Sequence, residues 1–198
     1  MNIEDMKAKL KRELSPARFQ HSLGVMAESI KLARFYNIDQ KKAGIAGLLH
    51  DCAKHLNSAE VLALVEEKGL IVDDILINTP SLHHGIAAPI IASEQYGVSD
   101  GEILDAIYWH STGRAGMTPL EKIVFVADYI EPGRKFGNLH EARKAAYEDI
   151  NRCILMLAEL TIMHVLKKGD FLHPDTINAR NDALMNVKKG IKGLTETL

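Results

Sequence analysis

Apolar residues recur along nearly the whole chain at the three- to four-residue spacing of helices that bury one face. No stretch alternates apolar and polar residues for long enough to predict a β-sheet. Capping signals separate the periodic segments. Ser15 precedes Pro16 and Thr118 precedes Pro119, and a proline fits the first turn of a helix. The pattern therefore predicts an all-α fold, arranged as a helical bundle.

Each predicted helix is bounded by a cap, a glycine or a proline. The predicted helices cover about 3–14, 16–36, a segment from Asp39 to His50, 58–68, 82–96, a segment opened by a capping box at Ser99 and Glu102, 119–130, 139–168 and a last helix after Pro174. The stretch 73–80 is predicted to be loose. The segment 139–168 carries a continuous apolar stripe, so it is predicted to be one long helix that contributes packing rather than chemistry.

Composition excludes several classes of protein. The formal charge is −2 with both signs interspersed, which argues against binding to a nucleic acid polymer. The longest apolar runs are too short to span a membrane, and the N-terminal residues lack the apolar core of a signal peptide. Cys52 and Cys153 fit neither a disulfide framework nor a zinc motif. We therefore expect a cytoplasmic protein with reduced thiols and no membrane partner.

Six residues of the kind that bind metals lie in or at the end of the predicted helices. They are His21, His50, Asp51, His84, His110 and Asp128. They offer imidazole and carboxylate groups without a thiolate, which favours iron, manganese, cobalt or nickel over a structural zinc. Asp128 interrupts an apolar run at 123–130, where an unpaired carboxylate would be costly to bury and a metal would remove that cost. The alternative for Asp128 is a position facing solvent.

His50 and Asp51 stand together at the end of an apolar helix, with Lys54 on the same face one turn later. A carboxylate has two oxygens and can bridge two metals, while a nearby lysine can hold an anionic substrate. The pattern predicts a metal site at Asp51. A capped helix end is the alternative interpretation.

The order of the six residues resembles the HD-domain superfamily of metal-dependent phosphohydrolases. The segments 48–54 (LLHDCAK), 109–114 (WHSTGR) and 127–134 (ADYIEPGR) resemble the bacterial YqeK family, described as a symmetrical bis(5′-nucleosyl)-tetraphosphatase that splits diadenosine tetraphosphate into two ADP. The similarity spans about 18–145. It implies a single HD domain over residues 1–198, with a metal-site core at about 18–145 and C-terminal packing helices at about 139–193.

The resemblance also implies a dinuclear site between helices. It assigns His21, His50, Asp51 and Asp128 to one metal, and has Asp51 bridge to a second metal held by His84 and His110. Iron is the implied metal, with manganese or cobalt as substitutes. His83 and His84 are adjacent and only one can face the site. His84 is preferred because Ala88, Ile91 and Gln95 continue its face of the helix inward.

The implied reaction is attack by a metal-activated hydroxide on an inner phosphate, with Asp51 and Lys54 as catalytic residues. Lys54, Thr112, Arg114 and Arg134 form the predicted substrate-binding set, in which the arginines clamp phosphates as bidentate donors. Alternatives are an HD-type nucleotidase, a cyclic-nucleotide phosphodiesterase, or a nucleotide-binding regulatory module without turnover. The sequence leaves the oligomeric state open, with a homodimer as one alternative.

Overall fold

A computed structural model describes residues 1–135 and 139–195, with side chains as far as residue 190. Every regular element in this part of the chain is helical, which confirms the all-α fold class. The helices are α1 Ile3–Glu13, α2 Pro16–Phe35, α3 Gln40–Leu49, α4 Ser58–Glu67, α5 Asp74–Ile77, α6 His83–Tyr96, α7 Gly101–Trp109, α8 Pro119–Ile130, α9 His140–Ala145, α10 Ile150–Lys168 and α11 Pro174–Thr195. A single 3₁₀ turn, Pro80–Leu82, leads into α6.

The helix starts show which capping predictions are correct. Ser15 caps α2 and Thr118 caps α8, each by accepting a hydrogen bond from a backbone N–H in the first turn. The capping box predicted at Ser99 is wrong. The cap of α7 is Asp100, whose side chain accepts from the N–H of Glu102 at 3.0 Å. Because α7 begins at Gly101, the carboxylate directly before it is the one that can reach the free N–H groups.

The prediction of one long helix at 139–168 is wrong, because the chain turns between α9 and α10. Asp149 caps α10 by accepting from the N–H groups of Asn151 and Arg152, and this local bond competes with continuing the helix. Likewise, the stretch 73–80 is not loose throughout. Asp73 accepts from the N–H of Leu76 at 2.8 Å and opens the short helix α5.

Helices α2, α3, α6, α7 and α8 pack around a common core and position the six predicted ligands, while α10 packs on α8, α9 and α11. Helices α2 and α3 lie close together at Gly47. A Cβ atom on Gly47 would lie 2.6 Å from Ser29 Oγ and 3.0 Å from the carbonyl oxygen of Val25, so only glycine fits there. Among the described residues, none of the helices has both the length and the apolar character needed to cross a bilayer.

Candidate metal centre

Five helices bring the six predicted ligands to one place. His21 lies in α2, His50 and Asp51 directly follow α3, His84 lies in the first turn of α6, His110 directly follows α7, and Asp128 lies in α8. Three overlapping groups have ligand atoms within 4.8 Å of one another: His21, His50 and Asp51; His50, His110 and Asp128; and Asp51, His84 and His110. The fold thus unites residues that are more than a hundred positions apart in sequence.

The carboxylate of Asp51 lies between two pairs of histidines. Its Oδ2 atom is 3.8 Å from His21 Nε2 and 3.4 Å from His50 Nε2. Its Oδ1 atom is 3.3 Å from His84 Nε2 and 3.8 Å from His110 Nε2. Each oxygen therefore faces a different pair of ring nitrogens, and the groups on the two sides could each hold a metal ion.

Asp128 completes the half of the cluster that contains His21 and His50. Its Oδ1 atom lies 2.9 Å from His21 Nε2 and 3.6 Å from His50 Nε2. The Asp128 side chain is 13% exposed, so the alternative of a position facing solvent does not hold.

The two adjacent histidines of α6 point in different directions. His83 Nε2 lies 3.0 Å from the carbonyl oxygen of Leu76, to which it donates, so His83 ties α6 to α5. His84 Nε2 faces the cluster and lies 3.1 Å from His110 Nε2. Of the two, His84 is therefore the histidine placed to bind a metal.

Hydrogen bonds on the far side of the rings orient the histidines. His50 Nδ1 lies 2.8 Å from the carbonyl oxygen of Gly47, and His110 Nδ1 lies 2.6 Å from that of Ile107. Since a carbonyl can only accept, each ring carries its proton on Nδ1 and turns the Nε2 lone pair toward the cluster. This is the tautomer that a metal requires.

The protonation states of His84, His110, Asp51 and Asp128 suit a divalent cation, whereas that of His50 is shifted the other way. Burial lowers the pKa of His84 well below its usual value and that of His110 to about 4, and the charge of neighbouring histidines adds to the effect. Burial acts to raise the pKa of Asp51 and Asp128, but the surrounding histidines outweigh it, so both carboxyls stay ionised. Burial also acts to lower the pKa of His50, yet the charges of Asp51 and Asp128 raise it overall. Anionic carboxylates and imidazoles without a thiolate fit a catalytic transition-metal site.

Comparisons with known proteins agree with this geometry. Residues 18–133 match the HD domain family. The chain belongs to the HD-domain family. It is 40% identical over 179 residues to "Bis(5'-nucleosyl)-tetraphosphatase, symmetrical" of Halalkalibacterium halodurans, covering 90% of this chain and 95% of that protein. It is 38% identical to the Bacillus subtilis protein of the same name, covering 91% and 97%. The predicted resemblance to HD-domain proteins and symmetrical tetraphosphatases is confirmed.

A solved structure supports the fold of this HD domain. It is a Clostridium acetobutylicum protein described as a predicted HD superfamily hydrolase involved in NAD metabolism. The two chains share 44% identity and superpose with a TM-score of 0.91, over 94% of this chain and 98% of that one.

Glu131 is a buried residue of the HD domain that was not singled out from the sequence, although it lies in the segment 127–134. Its Oε1 lies 3.1 Å from His21 Nδ1, and its Oε2 accepts from the N–H of Gly133. A Cβ atom on Gly24 would lie 2.5 Å from Oε2, so a glycine of α2 leaves room for this carboxylate. Glu131 therefore orients His21 as the backbone carbonyls orient His50 and His110.

Changing Glu131 to glutamine is expected to weaken metal affinity by about 10- to 100-fold, because the carboxylate that fixes the orientation of the His21 ring is lost. Competition with a chromophoric chelator measures the affinity. Glu141→Gln, at an exposed position of α9, is the matched control and should leave the affinity unchanged. Equal affinities for the two variants would contradict the orienting role of Glu131.

Three cationic side chains border the cluster. Arg134 donates from Nη2 to Asp128 Oδ1 and from Nε to the Asp128 carbonyl oxygen. Arg18, which the sequence analysis did not single out, donates from Nη1 to Asp51 Oδ2 at 2.7 Å. Burial lowers the pKa of Lys54; the nearby charge of Asp51 opposes that effect, and that of Arg18 adds to it. These groups supply local positive charge on a chain with a net charge of −2.

Arg114, which is predicted to clamp phosphate, pairs with a carboxylate of the fold. Its Nε and Nη2 donate to the two carboxylate oxygens of the buried Glu121 at 2.8 and 2.7 Å. The guanidinium also lies over the ring of Trp109, 5.3 Å from its centroid. The guanidinium is therefore held within the fold by an ion pair and by an aromatic ring. Thr112 is buried, and its hydroxyl donates to the carbonyl oxygen of Gly113 at 3.0 Å.

Proposed function

We propose that this HD domain is a metal-dependent bis(5′-nucleosyl)-tetraphosphatase that hydrolyses diadenosine tetraphosphate to two ADP. The observation that carries the proposal is the placement of Asp51, whose two oxygens face separate histidine pairs. Relatives named as symmetrical tetraphosphatases, at 36–40% identity over most of the chain, supply the substrate class.

Two ions would be held by the residues already described. His21, His50, Asp51 and Asp128 are proposed for the first, and Asp51, His84 and His110 for the second. When bound, such ions supply a nucleophilic water at neutral pH and neutralise phosphoryl charge. We propose iron as the metal, with manganese or cobalt as substitutes, because imidazole and carboxylate donors suit all three.

The chain itself binds and orients the phosphates. Lys54, Arg134 and Arg18 lie beside the metal ligands, where cationic groups offset the charge that develops on the phosphoryl oxygens. Arg134 and Arg18 have planar guanidinium groups that can bind two phosphate oxygens at once. Thr112 and Arg114 stay predictions as substrate-binding residues.

A digest of diadenosine tetraphosphate in ¹⁸O-labelled water tests the function. Attack on an inner phosphorus breaks the central P–O–P link, so ADP should be the sole product, with one labelled oxygen in one ADP of each pair. Equal amounts of ATP and AMP would instead indicate attack on an outer phosphorus and overturn the proposal. Turnover only of nucleoside monophosphates or cyclic nucleotides would indicate a nucleotidase or phosphodiesterase. Binding without turnover would indicate a regulatory module.

A cytoplasmic location and a homodimer stay predictions.

A further inference from the structure

Ser111 lies at the metal centre, in the turn that follows α7, although it belongs to none of the residue types usually searched for as metal ligands. Its Oγ atom is 3.1 Å from His84 Nε2 and 2.9 Å from His110 Nε2. The two Nε2 atoms are themselves 3.1 Å apart. The hydroxyl oxygen and the two ring nitrogens therefore form a nearly equilateral triangle on the side of the cluster proposed for the second metal.

The size of this triangle fits a single ion. Two donor atoms that bind an octahedral ion at right angles, each at about 2.0 to 2.1 Å, lie about 2.8 to 3.0 Å from one another. The sides of the triangle measure 2.9 to 3.1 Å. One ion above the triangle can therefore reach the Ser111 oxygen and both nitrogens. Asp51 Oδ1, which lies 3.3 Å from His84 Nε2, is a further donor beside it.

The surrounding backbone holds the Ser111 side chain in place. The N–H of Gly113 donates to the carbonyl oxygen of Trp109 at 2.8 Å and closes the turn that contains Ser111. On the other side, a Cβ atom on Gly85 would lie 3.4 Å from Ser111 Oγ, so the first turn of α6 packs directly against the hydroxyl. A donor that is already held in position suits a binding site, because little rearrangement is needed when the ion binds.

The hydroxyl cannot donate a hydrogen bond to both nitrogens at once, because serine has a single hydroxyl proton. The His110 ring carries its proton on Nδ1, so its Nε2 offers a lone pair to the triangle. A bound ion would use one lone pair from each of the three atoms. The alternative is a hydrogen-bond chain from His84 Nε2 through Ser111 to His110 Nε2, which would compete with an ion.

We propose that Ser111 is a fourth ligand of the second metal and binds it through its hydroxyl oxygen, together with Asp51, His84 and His110. This inference rests on the proposed function, because it requires the second ion. It raises the number of protein donors at that ion from three to four. Each of the two ions then faces two imidazole nitrogens and two oxygens of this chain.

Replacing Ser111 tests the assignment through metal affinity, which needs no substrate. The purified protein is loaded with Co²⁺ and titrated with a chromophoric chelator. Ser111→Ala should weaken the affinity for one of the two ions by about 10- to 100-fold, at least the loss that follows removal of an outer partner of a ligand. Ser111→Thr keeps a hydroxyl on the same carbon and should retain the affinity. Ser93→Ala, at an exposed position of α6, is the matched control.

The sign of the effect separates a ligand from a competitor. If the hydrogen-bond chain is correct, Ser111→Ala removes the competing contact and tightens metal binding, which would overturn the proposal. Unchanged affinity would overturn it as well. Equal losses in the alanine and threonine variants would indicate that Ser111 acts through packing and not through its oxygen, with the same consequence.

A cysteine variant gives a spectroscopic readout of direct contact. A thiol that binds a metal is deprotonated, and thiolate is a ligand of distinct, soft character. Ser111→Cys loaded with Co²⁺ should therefore show the charge-transfer absorption of a cobalt–thiolate bond. The unmodified protein, whose buried Cys52 and Cys153 provide the baseline, and Ser93→Cys should not show it. Absence of this absorption in Ser111→Cys would contradict the assignment.

These measurements separate the role of Ser111 from the proposed function. If Ser111→Ala loses affinity and Ser111→Cys shows the thiolate absorption, the assignment stands even when the metalloprotein does not cleave diadenosine tetraphosphate. If cleavage to ADP is observed but neither change occurs, the assignment falls and the function stands. If the unmodified protein binds a single Co²⁺, the assignment falls together with the second ion, and the products of the digest still decide the function.

Discussion

Asp51→Ala is expected to reduce turnover of diadenosine tetraphosphate by at least about 10³-fold, more than any other single substitution. It removes both oxygens that face the two histidine pairs, so each proposed ion loses a ligand at once. The expected loss exceeds that for removal of one stabilising donor, which costs about 10²- to 10³-fold. Steady-state kinetics measure the turnover, and elemental analysis should find fewer metals than in the unmodified protein.

Asp170→Ala is the control for this substitution, because it removes an exposed aspartate far from the cluster in sequence. It should retain full turnover and metal content. Thermal unfolding of the Asp51 variant distinguishes lost chemistry from lost fold. Unchanged turnover and metal content in a folded Asp51→Ala protein would refute the bridging role and with it the dinuclear site.

Lys54→Met is expected to retain both metals but to lower kcat by about 10²-fold. The ammonium lies near the charge of Asp51, yet a protonated lysine has no lone pair with which to bind a metal. Methionine preserves the length of the side chain and removes the charge that offsets the phosphoryl oxygens. The measurements are kcat and metal content of the same preparation.

Lys31→Met provides the matched comparison, since Lys31 is an exposed residue of α2 whose ammonium contacts Glu28. Its kinetics should equal those of the unmodified protein. Metal loss in the Lys54 variant would assign that lysine a structural role, and unchanged kcat would remove it from the catalytic set.

The helices and the six clustered residues could be predicted because each leaves a local signal. Apolar periodicity and caps mark the helices. A carboxylate within an apolar helix, such as that of Asp128, stands out because burying it without a partner costs free energy. The break before α10 was missed because the apolar stripe continues across it, while the decisive cap, Asp149, is one polar residue among many.

Residues that act through distant partners left no local signal. Glu131 contacts His21, 110 positions earlier, and Arg18 contacts Asp51, 33 positions later. Arg114 had the right chemistry and a suggestive position, but its pairing with Glu121 depends on how the loop folds back onto α8. Such pairings are decided by tertiary packing, which periodicity does not encode.

The two tight glycines limit how this chain can diverge. Any side chain at Gly24 would collide with the carboxylate that holds His21, and any side chain at Gly47 would force α2 away from α3. Both positions lie outside the proposed ligand and substrate-binding sets. A substitution at either would nevertheless move histidines whose ring nitrogens must keep their places in the cluster. Substitutions at these two glycines should therefore be tolerated as poorly as substitutions at the proposed ligands. The spacing of the helices then restricts the sequence of this chain as strictly as the chemistry of the site does.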